Sequence, residues 1–245
     1  MYKKFLDLGK QPLANKFLTK AEISKKEDFY NLSIGFNKKH NLVSILKTIS
    51  SKKMFNDKYP YRSSMSVTIK NYFYELSKKI IKEFNPSCFL EIGSNDGTLI
   101  KNFDKKKSIC VEPCKNHAKI TTKLGYKTYP KYWNFSLAKK IKKENRKIDL
   151  IYSANTISHI HDLKSVFKSA EYVLSKNGIL IIEDPSLLEC LKVGSYDQFY
   201  NEHIYVFSLL SISKLVRKQN MEVYNIEILN THGGSIRYYI KKKVN

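Results

Sequence analysis

Phe89-Leu90-Glu91-Ile92-Gly93-Ser94-Asn95-Asp96-Gly97-Thr98-Leu99 decides the fold. It reads as an apolar strand that ends in an acid and runs into a tight turn, where glycine lets a nucleotide-like ligand lie against bare backbone. Such a turn belongs at the carboxyl edge of a parallel sheet, with the N-terminus of the following helix aimed at the ligand. Twenty-one residues after Glu91, Ile109-Cys110-Val111-Glu112-Pro113 is a second short apolar run ending in a carboxylate. An acid at that place can accept hydrogen bonds from a ribose diol.

Downstream, strands and helices alternate. Strands are expected at 88–92, 108–112, 128–132, 148–153 and 178–183, with helices near 97–104, 116–124, 137–143 and 162–174. This alternation predicts an α/β fold, a doubly wound parallel sheet whose ligand edge collects Glu91, Glu112, Asn155 and Glu183. Upstream, Val67, Tyr72, Leu76, Ile80, Ile81 and Phe84 fit one helical face, and Pro86 closes that helix. Before it, Tyr59-Pro60-Tyr61-Arg62-Ser63-Ser64-Met65-Ser66 is an aromatic, hydroxyl-rich loop. Earlier still, 30–35 and 42–46 read as two short strands joined by the polar turn 36–41. They make a small β appendage that lacks the core to be very stable alone.

The formal charge of +22 invites a nucleic-acid partner. Only Arg62, Arg146, Arg217 and Arg237 are arginines, however, and the lysines are spread over the whole length. Phosphate and base readers favour the planar fork of arginine. The expectation is therefore a solvated lysine surface, with at most a weak general attraction for anionic substrates. No run of 18 apolar residues exists, and the N-terminus lacks a secretory apolar stretch, so a soluble cytoplasmic protein without membrane contact is expected. Cys88, Cys110, Cys114 and Cys190 form no Cys-x-x-Cys pair and read as reduced core or near-site thiols, with neither disulfide nor zinc.

Gly93-x-Asn95-x-Gly97 is not the dinucleotide fingerprint. It resembles the first motif of class I S-adenosylmethionine methyltransferases, with Asn95 at the middle glycine, a substitution that the left-handed region tolerates. That ligand has no pyrophosphate, so a carboxylate at Glu91 is compatible with it and hostile to a dinucleotide.

The wider pattern resembles the C-methyltransferases that act on nucleotide-linked keto-deoxysugars. The similarity rests on Leu8-Gly9-Lys10-Gln11-Pro12-Leu13-Ala14-Asn15, Tyr59-x-Tyr61-x-Ser63-Ser64, Val111-Glu112-Pro113, Asn155-Thr156-Ile157-Ser158-His159, Tyr196-Asp197-Gln198-Phe199-Tyr200-Asn201-Glu202-His203 and His232-Gly233-Gly234-Ser235-Ile236-Arg237, besides the glycine turn. The chain departs from that family in two ways. The family's N-terminal zinc module carries two Cys-x-x-Cys pairs. Here the second falls on Asn37-Lys38-Lys39-His40 and no residues precede Met1 to supply the first, so no metal is expected. The family also continues beyond the Gly-Gly-Ser-x-Arg stretch, so the chain reads as shortened at both ends.

The resemblance implies a degenerate zinc-module-like segment at 1–57, a cofactor-binding Rossmann-like domain at 58–190 and the start of a substrate region at 191–245. It implies S-adenosylmethionine as cofactor, held by Glu91, Gly93, Ser94, Asn95, Gly97, Glu112 and Asn155. Its catalytic set is His203 as base, Glu202 orienting its ring or touching the sugar, Tyr200 with Tyr59 or Tyr61 steadying the oxyanion, and His159 as a second candidate. The expected substrate is a small nucleotide-sugar; the oligomeric state is open. Two other readings stand beside it: a SAM-binding remnant or partner subunit without catalysis, and a nucleic-acid methyltransferase.

Overall fold

The computed structural model describes residues 1–144 and 147–244, apart from the side chain of His232. Two sheets organise it. The larger is built from β4 (Phe89–Ile92), β5 (Ser108–Val111), β6 (Lys127–Tyr129), β7 (Ile148–Ala154), β8 (Leu174–Pro185), β10 (Met221–Leu229) and β11 (Ser235–Lys242), in the order β10-β11-β8-β7-β4-β5-β6. From β8 to β6 every pairing is parallel; β11 and β10 close the far edge antiparallel. The order reverses beside β4, the strand that opens the deciding stretch, which is where a doubly wound sheet leaves its ligand crevice.

The central strands are short, apolar and buried on both faces, as parallel strands under two helical layers must be. One face carries α4 (Phe135–Lys143), α5 (Leu163–Val173) and α7 (Leu209–Arg217), packed on Leu90, Ile92, Ile151 and Ile182. The other carries α2 (Val67–Phe84), whose Phe73, Leu76 and Ile80 meet Phe89, Leu150, Tyr152 and Ile181. α2 begins at Ser66, whose hydroxyl accepts from the Ile69 amide, and ends at left-handed Asn85. α3 (Lys115–Lys123) follows β5. No helix among the described residues is long and apolar enough to cross a membrane.

The helix expected near 97–104 does not form. Ile100–Asn102 and Lys105–Lys107 are separate 3₁₀ turns, the second started by the Asp104 side chain. Between them Phe103 stacks on Phe89 at 4.0 Å. Ring packing sets the path of this segment in place of a continuous α-helical ladder. The glycine turn is therefore not backed by an α-helical N-terminus.

The smaller sheet runs β1-β2-β3-β9: β1 (Lys3–Gln11), β2 (Tyr30–Asn37), β3 (Leu42–Ile45) and the two-residue β9 (Tyr205–Val206). The expected hairpin is thus lengthened on both sides, and Val43 pairs with Val206 from far along the chain. Its core is Leu32, Ile34, Val43, Ile45, Cys190 and Val206. Cys190 comes from α6 (Leu187–Val193), and the short α1 (Ser51–Met54) leads from this sheet toward the Tyr/Ser loop. The stretch read from sequence as following the cofactor domain contributes β9 to the small sheet and β10 and β11 to the large one.

Candidate active site

A cavity of about 400 Å³ opens at the carboxyl edge of β4, β5 and β7. Its floor is the glycine turn. Gly93 holds φ +74°, and a Cβ there would lie 2.1 Å from the Thr156 hydroxyl. Gly97 holds φ +82°, with Thr121 2.9 Å from where its Cβ would be. Both positions require glycine. Asn95 takes φ +47° between them.

Asn95 does more than tolerate the turn. Its Oδ1 accepts from the amides of Ser63 (3.1 Å) and Asp96 (2.8 Å), and its Nδ2 donates to the Tyr61 carbonyl (3.0 Å). Asp96 Oδ2 accepts from the Ser64 amide at 3.2 Å. The Tyr/Ser loop is thereby laced across the glycine turn.

Two buried carboxylates flank that floor. Glu112 accepts from the amides of Asn95 and Cys114, each at 2.8 Å, which aims it across the turn. Burial still raises its pKa above the usual range, against the pull of those amides. Glu91 Oε2 faces no hydrogen-bond partner among the described residues, and neither does Ser94 Oγ. Burial first, and then the charge of Glu112, push the Glu91 carboxyl well up. Asn155, left-handed at φ +47°, reaches the wall of the cavity after β7, its amide donating to the Glu183 carbonyl at 2.8 Å.

The opposite end is aromatic. Phe55, His159, His203 and Tyr200 form a chain of rings, with centroid separations of 5.2, 5.1 and 4.2 Å. His203 Nδ1 lies 2.9 Å from the Gln198 carbonyl, which can only accept, so Nδ1 carries the proton in the neutral ring. Nε2 is then the acceptor for the Tyr200 hydroxyl at 3.0 Å. His159 is buried, with Nε2 unpartnered among the described residues; burial and the neighbouring His203 hold its pKa well below the usual value.

Not every expected side chain faces the cavity. Glu202 does not line the wall: it accepts from Tyr59 Oη and Asn15 Nδ2, each at 2.8 Å. Tyr59 lines the cavity and donates its hydroxyl to Glu202, while Tyr61 lies exposed at the rim. Glu183 is drawn away from the ligand edge by Arg237, Nε to Oε1 at 2.5 Å, and by the Tyr72 hydroxyl at 2.6 Å. Sequence reasoning passed over Asn15, Phe55, Thr156 and Gln198 as site residues. Asn15, Thr156 and Gln198 lay inside quoted motifs; Phe55 carried no local signal.

Residues 63–226 match a family described as a methyltransferase domain. The chain belongs to that family. Residues 2–55 match a putative zinc binding domain. That segment holds no cysteine and a single histidine, His40, beside the Lys218 ammonium, so its donor set does not fit a structural zinc.

Among curated proteins, the C-methyltransferase NovU of Streptomyces niveus is 24% identical over 236 residues, 94% of this chain and 56% of that protein. The chain thus spans little more than half the length of this relative. Among solved structures, a S-adenosylmethionine-dependent methyltransferase from Clostridium acetobutylicum ATCC 824 superposes with a TM-score of 0.54 at 14% identity, over 71% of this chain and 92% of that one. Magnesium protoporphyrin IX methyltransferase from Synechocystis PCC 6803, solved with bound SAH, gives 0.51 at 12%, over 71% and 83%. The fold is the class I methyltransferase fold, and its cofactor is S-adenosylmethionine. The cavity fits that cofactor: bare glycine backbone, two buried acids and unsatisfied Glu91 and Ser94 oxygens face a space of the size small-molecule sites occupy.

Proposed function

We propose that the methyltransferase transfers a methyl group to the carbon beside a ketone in a nucleotide-linked deoxysugar. The observation that carries this reading is the Tyr200–His203 pair opening into the same cavity as the glycine turn and Glu112. Gly93, Ser94, Asn95 and Gly97 receive the methionine and ribose parts of S-adenosylmethionine, Glu112 accepts from the ribose hydroxyls, Glu91 meets the methionine ammonium, and Asn155 lines the adenine or sulfonium side. The cofactor supplies the methyl group and a sulfur that takes the bonding electron pair.

The protein must then make a carbanion equivalent. His203, held by the Gln198 carbonyl with Nδ1 protonated, presents the Nε2 lone pair as base. The Tyr200 hydroxyl turns from Nε2 to the ketone oxygen, which exposes the lone pair to the α-proton and places a donor on the developing enolate. His159, buried and neutral, is a poor proton acceptor at neutral pH and serves as a hydrogen-bonding wall. Asn15, Tyr59 and Glu202 fix the approach of the N-terminal segment. The similarity to a C-methyltransferase supports carbon as the acceptor atom.

The test is exchange of the substrate α-proton with deuterated solvent, followed by NMR with S-adenosylhomocysteine bound. His203→Asn is expected to cut exchange at least about 100-fold while S-adenosylhomocysteine affinity stays near normal. Wild-type exchange rates in the variant would remove His203 as base.

A further inference from the structure

Glu112-Pro113-Cys114-Lys115-Asn116-His117 spans the end of β5 and the first turn of α3. Cys114 caps that helix and His117 lies three residues on, the spacing that puts two side chains on one helical face. One donor atom from each of Glu112, Cys114 and His117 lies within 4.8 Å of the other two.

His117 is the unexplained member. It is fully buried, and neither ring nitrogen has a hydrogen-bond partner among the described residues. Tyr59 meets it only edge-on, with ring centroids 6.0 Å apart, and spends its hydroxyl on Glu202. A buried imidazole with both nitrogens unsatisfied costs stability unless a ligand completes it.

We propose that Glu112, Cys114 and His117 bind a divalent cation of the zinc class, with its remaining coordination position open to the cavity that Glu112 and Cys114 line. Imidazole, thiolate and carboxylate are the ligand types zinc accepts, and three protein ligands plus an open position is the arrangement of accessible zinc sites. Charge also balances: Cys114 loses its thiol proton to solvent as the metal–sulfur bond forms, and thiolate and carboxylate together neutralise the dication. Bond lengths of about 2.0–2.3 Å put tetrahedral ligands roughly 3.5 Å apart, so donors that lie within 4.8 Å of one another need to close by at most about 1 Å on binding. This site is distinct from the segment 2–55, which has no cysteine to offer. Because Glu112 is also the acid assigned to the ribose, zinc and S-adenosylmethionine exclude one another; that second clause rests on the proposed cofactor placement, the metal site itself does not.

The experiment is titration of the chelator-treated chain, residues 1–245, with Co²⁺ alone, and then with Zn²⁺. One equivalent of Co²⁺ is expected to give a thiolate-to-cobalt charge-transfer absorption that Zn²⁺ displaces. Cys114→Ser should abolish that band, and His117→Gln, which leaves the cavity lining intact, should weaken Co²⁺ at least about tenfold with S-adenosylhomocysteine binding unchanged. Circular dichroism melting of each variant separates ligand loss from unfolding. No band, or a band that survives Cys114→Ser, overturns the site. An intact cobalt site with S-adenosylhomocysteine affinity indifferent to saturating Zn²⁺ overturns the competition alone, and failure of the metal-free chain to bind S-adenosylhomocysteine counts against the cofactor placement instead.

Discussion

Asn95 stands where the resembled motif has glycine, and its side chain supplies what glycine cannot: one accepted and one donated hydrogen bond that join the glycine turn to residues 63 and 61, and a second accepted bond, from the Asp96 amide, within the turn. Asn95→Gly keeps the left-handed backbone accessible but cuts these ties. It should destabilise the protein by about 1–2 kcal/mol in urea titration and speed hydrogen exchange at residues 61–65, with the rest of the sheet unchanged. Unaltered protection there would mean that the loop is held by something else. The sequence was readable as far as backbone tolerance; the partners lie more than thirty residues upstream, beyond any local pattern. Tyr59 and Glu202 were likewise legible as site components, yet their mutual hydrogen bond joins residues that only the fold brings together. Asp184 carried no signal at all. It is wholly buried, its Oδ2 is unpartnered among the described residues, and burial lifts its carboxyl to about 7. The unfolded chain releases that proton near pH 4, so the folded state is favoured by it below that value and loses the contribution as pH rises through about 7. Raised Glu91, Glu112 and Glu202 act in the same direction. Asp184→Asn should therefore flatten the pH profile and stabilise the fold at pH 8 by on the order of 2 kcal/mol, read from urea midpoints at pH 5 and 8; an equal loss at both pH values would show a purely steric role.

At the scale of elements, the central β–α alternation was visible because parallel strands buried on both faces leave unbroken apolar runs, as in 109–111 and 150–152. What escaped notice was short or antiparallel. α7 is nine residues opened by a Ser208–Ser211 capping box, β9 is two residues, and β10 alternates irregularly at an edge. The Gly-Gly-Ser-x-Arg stretch gained its physical meaning only from register. Arg237 faces Glu183 of β8 on one side and Glu227 of β10 on the other, so a buried guanidinium spans three strands, with Tyr72 of α2 accepting at 2.7 Å. It also pairs with Glu227 directly. Arg237→Ala would strand Glu183, which is 3% exposed, without its cation. A loss of about 3–5 kcal/mol is expected in denaturant unfolding, largely recovered when Glu183→Gln is added. A loss below about 1 kcal/mol would contradict the account of this network.

For the whole molecule, two sheets meet through a chain that crosses between them: β9 returns to the small sheet before β10 and β11 complete the large one. This return brings Tyr200 and His203 to the cavity and Glu202 against Asn15 of the N-terminal segment. The small sheet is held by its apolar core and by β9, which is why it can stand where cysteine ligands are missing. The class I fold could be anticipated from the glycine turn and the two spaced acids; the closure of the site by distant segments could not, because no local period encodes it. The central claim is transfer of a methyl group to carbon with His203 as base. The most direct measurement is NMR of the product after incubating the protein with methyl-¹³C S-adenosylmethionine and a panel of nucleotide-linked keto-deoxysugars. The account predicts a ¹³C methyl bonded to the carbon beside the ketone, formed by the wild type and not by His203→Asn; a label on oxygen, or no transfer by protein that binds S-adenosylhomocysteine, would contradict it.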